Sequence, residues 1–142
     1  MARMVVEDFR KNELDALDSD TVREVVRKCL WAGAKVVEKE MKRTIEERHH
    51  VVHGYMKESV SQGEIHEDID RAYVDIYPQG TDPRGVSNEM KNKMINLGAH
   101  NVATGKGTKK DAYVQRMGKE IAPRVLSVMN YQFNLCMEEL TK

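Results

Sequence analysis

The sequence predicts an α+β domain: a long N-terminal helix, a small antiparallel β-sheet, a short helix and a long C-terminal helix, in that order. Three observations carry this. Apolar side chains recur at helical spacing from Asp20 to about Arg48. A period-two pattern follows between residues 56 and 77, and helical spacing returns from Asp111 to the C-terminus. The 142 residues read as a single domain, with 1–19 as an N-terminal extension and 99–109 as a flexible loop.

The first helix rests on Val22, Val25, Val26, Cys29, Leu30, Gly33, Val36, Val37, Met41, Thr44 and Ile45, the i, i+3, i+4, i+7 rhythm of an amphipathic helix. Asp18, Ser19 and Asp20 offer caps, and Thr21 with Glu24 has capping-box spacing. At a rise of about 1.5 Å per residue the rod is roughly 40 Å long, and its end is expected near His50–His53, ahead of Gly54. "MKESVSQGEI" and "DIDRAYVDIYP" then predict strands with a turn at Gly63. In the second strand Ala72, Val74 and Ile76 share one face and Tyr73, Asp75 and Tyr77 the other. Pro78 and Pro83 cannot donate to a ladder, so that strand ends near Tyr77. Gly80 and Gly85 mark turns. Ser87 or Asn88 caps a short helix that Gly98 closes. The C-terminal region is expected in two pieces: Asp111 opens "DAYVQRM", Gly118 interrupts, and Pro123 starts the remainder.

Charge and composition narrow the function. Charged residues make up 32% and hydrophobic ones 40%, the balance of a globular chain. Lysine plus arginine equals aspartate plus glutamate, 23 against 23, which argues against a surface wholly given to gripping nucleic acid. Cys29 and Cys136 fall on apolar helix positions, where free cysteine behaves as a small hydrophobe, and a reducing cytoplasm is the simplest setting. The N-terminal residues lack the apolar run of a signal peptide, and no stretch has the length of a membrane span.

The chemical motifs fall short. Six residues separate Gly98 from Gly105, and Lys106 precedes Gly107, so the stretch does not spell a phosphate-binding loop. Lys106, Lys109 and Lys110 form a local basic patch suited to an acidic surface or to DNA phosphates. Glu46, His49, His50 and His53 fall on one helical face and are the metal-ligand candidates. A helix end is the ordinary place for such imidazoles, and no second ligand cluster completes a shell. The reading is therefore no metal and no cofactor. Asp68, Asp70 and Asp75 lack the glycine and closing glutamate of a calcium loop, and Ser59, Ser61 and Ser87 lack a nucleophile elbow.

The order of segments resembles the head–tail joining, or tail-completion, proteins of long-tailed bacteriophages and prophages. The resemblance rests on "WAGAKVVEKEMKR" at 31–43, "HGYMKESV" at 53–60, "YVDIYPQGTDPRGVSNEMKNKMINLG", and "KKDAYVQRM" entering the last helix. It spans most of residues 20–140. His53 stands where that family usually has threonine, and Tyr77–Gly85 replaces simpler strand ends. The resemblance implies a non-enzymatic virion assembly protein of the phage neck, made in the bacterial host cytoplasm. It implies a ring of copies, commonly sixfold, between the head connector and the tail tube or tail terminator, with DNA passing through and no membrane contact. On that reading Gly80, Arg84, Asn88, Lys91, Lys106, Lys109 and Lys110 are the interface or channel candidates. The alternative is a small regulatory or nucleic-acid-binding module using the basic 104–110 loop.

Overall fold

The computed structural model describes residues 2–7, 9–47, 54–67, 71–100, 107–108 and 110–141. Its elements run β1 (Ala2–Glu7), α1 (Lys11–Leu14), α2 (Ser19–Glu47), α3 (Tyr55–Glu58), β2 (Val60–Glu67), β3 (Arg71–Pro78), α4 (Asn88–Leu97), β4 (Ala99–His100), β5 (Gly107–Thr108) and α5 (Tyr113–Leu140). The architecture is α+β: two long helices lie across one face of a three-stranded antiparallel sheet, and a short helix sits near one end of the helix pair.

Sheet order is β1-β3-β2. Ala72, Val74 and Ile76 of β3 are buried beneath the helices, while Tyr73, Asp75 and Tyr77 look away from them, the alternation expected of a half-buried strand. The N-terminal residues, expected as an extension, supply β1, which pairs with β3 from Ala2↔Ile76 to Glu7↔Arg71. β1 turns Met4 and Val6 toward the core; on its open face Arg3 reaches Asp75 at 2.7 Å and lies over the Tyr73 ring. Gly63, expected in a turn, lies inside β2 where the register with β3 shifts. A Cβ there would come within 3.2 Å of the Asp75 carbonyl, so the strands approach through a residue without a side chain. Of the stretch 56–65, expected as strand, residues 56–58 belong to the single helical turn α3 and the strand begins only at Val60.

α2 and α5 run antiparallel. Leu30, Ala34, Val37, Met41 and Ile45 share a cluster with Tyr113, Met117 and Ile121, and Val25 and Cys29 share one with Met129, Phe133 and Cys136. Asp18 caps α2 by accepting from the Thr21 amide at 2.8 Å and the Thr21 hydroxyl at 2.9 Å, so Thr21, expected to open a capping box with Glu24, already lies inside the first turn. The expected end of this helix near 50–53 lies outside the described residues. α5 is one continuous helix, not two. Gly118 and Pro123 both sit inside it because its apolar stripe packs along α2 on either side of them, and that burial outweighs local propensity. Of the stretch expected as a loop at 99–109, residues 99–100 and 107–108 pair as β4 and β5.

Candidate functional site

Four of the seven sequence-predicted interface residues come together around one carboxylate. Between β3 and α4 the chain turns back on itself, with Asp82 N–H donating to the Val86 carbonyl, Gly85 N–H to Asp82, and Asn88 N–H to Gly80. Gly80 and Gly85 make this possible at φ of 70° and 82°, a left-handed backbone that glycine adopts without strain. At the centre the buried Asp82 side chain accepts from the backbone N–H of Arg84 at 2.9 Å and of Val86 at 3.0 Å. Lys91 Nζ lies 2.6 Å from its second oxygen and Arg84 reaches the same oxygen at 3.4 Å. Hydrogen bonding to Lys91, followed by the Val86 amide, holds this carboxyl well below the usual carboxylate range. Ser87 caps α4 by accepting from the Met90 amide, and Asn88 donates to the Gln79 carbonyl at 3.0 Å. Gly80, Arg84, Asn88 and Lys91 thus hold a folded turn against the body. Lys110 is exposed just ahead of α5; Lys106 and Lys109 lie outside the described residues.

The metal-ligand candidates are separated from chemistry differently. Glu46 pairs with Lys57 at 2.9 Å, and His49, His50 and His53 lie outside the described residues. Among the described residues no group of three or more His, Cys, Asp and Glu side chains is placed to hold a metal ion. Cys29 and Cys136 are free thiols in one apolar cluster, and burial pushes Cys29 up to about 12.

Sequence reasoning missed three features. Asp82 is the first, since nothing local distinguishes a buried aspartate from a solvated one. Glu40 is buried on α2, where Arg43 bonds it at 2.8 Å and Arg124 of α5 at 2.7 Å, so one carboxylate ties the two long helices together. Its carboxyl is lowered first by the Arg43 hydrogen bond, against the opposing effect of burial, with Arg124 adding to the lowering. The third feature is exposed apolar surface. Trp31 opens onto a groove of about 840 Å³ along the free edge of β2, lined also by Arg27, Gln62, Ile65, His66 and Tyr77. Leu126 and Tyr131 are exposed on α5, and Val86, Met90, Met94 and Leu97 on and before α4. The i, i+4 spacing of the last group is readable in the sequence, but which side of α4 faces in is not.

Compared with protein-family models, with curated proteins and with solved structures, the chain gives no match. Among the described residues no helix is long and apolar enough to cross a membrane.

Proposed function

We propose that this chain is a structural assembly protein of the phage neck, without enzymatic activity, working as one copy in a ring between head connector and tail tube. The observation that carries this reading is the placement of exposed apolar side chains on unlike surfaces. Trp31 sits at the β2 edge of the molecule; α2 lies over β2 and β3, while α5 reaches the sheet at β1 and carries Leu126 and Tyr131. A ring closes through head-to-tail contacts, which need two different patches on each copy. Trp31, Leu126 and Tyr131 give such contacts apolar anchors on separate parts of the surface. The order of segments that resembles the tail-completion proteins supports the same reading.

The test is deletion of the gene in a phage or prophage that carries it. Filled heads and complete tails that fail to join are the expected result, and normal virions would reject the reading. Purified protein is expected to bind isolated connectors or tail tubes, with Trp31→Ala and Leu126→Asp each weakening that binding at least about tenfold.

A further inference from the structure

We propose that α4 is a self-association surface, on which a second copy of this chain docks through an antiparallel α4–α4 contact about a twofold axis. The helix shows a largely polar side to the interior. Asn88 and Asn92 are buried, and Asn96 is half-buried, donating to both Asn92 oxygens while its own oxygen takes the Val114 amide. The Tyr113 hydroxyl donates to the Asn92 side-chain oxygen. Asn92 and Asn96 thus put polar groups against α5, Asn88 meets the chain after β3, and Ile95 packs against the core beside them. Four other apolar side chains point out: Val86 is 43% exposed, Met90 54%, Met94 42% and Leu97 73%. Their spacing of i, i+4, i+8 and i+11 draws one stripe from the preceding turn to the helix end. A single exposed leucine is ordinary, but four in line outside a polar inner face form a surface that water covers poorly.

The charge pattern beside the stripe selects a second copy as occupant. Glu89 and Lys93 flank the stripe on one side and are paired within the helix at 3.6 Å. The midpoint of that pair is residue 91, and the midpoint of the stripe falls between residues 91 and 92. A twofold axis through that point lays two α4 helices antiparallel and brings like flanks together. Glu89 of each copy then faces Lys93 of the other, while the methionines meet their own image. Methionine, unbranched and polarisable, accommodates such a contact without finely matched shapes. Four side chains from each copy form less than the roughly 1,200 Å² of a stable specific interface, so the dimer is weak and concentration-dependent. This contact joins like patches, whereas a ring joins unlike ones, so it stands apart from the neck reading.

Sedimentation equilibrium of the full chain between about 1 μM and about 0.2 mM tests it. The expected result is a monomer passing to a dimer and no further. Met94→Glu is expected to raise the dissociation constant at least about tenfold. Leu97→Glu, at the most exposed of the four positions, does the same should Met94→Glu melt early. Glu89→Lys and Lys93→Glu each weaken the dimer about threefold or more, and an equimolar mixture of the two recovers it as a heterodimer. A monomer throughout the range overturns the proposal, as does a dimer indifferent to both stripe variants. Failure of the charge-reversed pair to recover, or growth past the dimer, overturns it as well. Loss of head–tail joining in the gene deletion is a separate readout, so either reading can fail alone.

Discussion

At Asp82 one buried carboxylate receives two backbone amides and two cations, and the turn from Gly80 to Asn88 is organised around it. Its folded-state pKa lies below the unfolded value of about 3.9, so its contribution is complete above that value and is lost as pH falls toward the folded one. Asp82→Asn keeps an acceptor for the amides but removes the partner of Lys91. The expected outcome is a melting temperature lower by about 5 °C at pH 7, with the gap to the wild type closing as pH falls from 5 to 2. Thermal melts across that range check it; an unchanging gap would show that charge is not what Asp82 contributes. Gly80 was legible as a turn glycine because φ > 0 favours that residue type. Asp82 was not legible, because its burial depends on where α4 comes to lie.

The two long helices show propensity and packing in opposition. Gly118 sits exposed within α5, and a Cβ there would meet nothing within 4 Å. Gly33 of α2 is buried, and a Cβ there would lie 2.6 Å from Met4 Cε and 3.0 Å from Met129 Cγ. The same residue type is therefore a cost in one helix and a requirement in the other. Gly118→Ala is expected to stabilise by about 0.5–1 kcal/mol by raising helix propensity. Gly33→Val is expected to destabilise by about 1–3 kcal/mol through overpacking between β1 and α5. Denaturant melts measure both, and a destabilising Gly118→Ala would mean that α5 needs a break at that point. Periodicity located α2 and α5 from their stripes. It placed a break at Gly118 and Pro123 because local rules see the loss of propensity but not the α2 surface that offsets it.

For the molecule as a whole, the N-terminal segment is where local pattern and assembled structure part most clearly. Residues 2–7 complete the sheet, cover the β3 edge and bring Met4 against Gly33. Removing residues 2–7 leaves the backbone of β3 unpaired on one side and uncovers the joint between the two apolar clusters that Met4 and Val6 bridge. The truncated chain is expected to aggregate or to melt at least about 10 °C lower. A truncation that melts like the full chain, checked by circular dichroism, would return the segment to the status of an extension. Six residues of mixed polarity give too short a period-two pattern to distinguish a strand from a tail, and only the exposed edge of β3 gives them a partner.

Local pattern is enough to set the fold class, the two long amphipathic helices, the faces of β3 and the glycine turns before α4. Each of these is set by periodicity or by backbone conformation, properties that a residue and its near neighbours carry. Tertiary structure alone decided that β1 joins the sheet, that α5 runs unbroken, that Asp82 and Glu40 are buried with their partners, and that α4 turns its methionines outward. Each of those depends on contacts between residues distant in sequence, where the burial available from a neighbouring element outweighs what the local stretch would do alone.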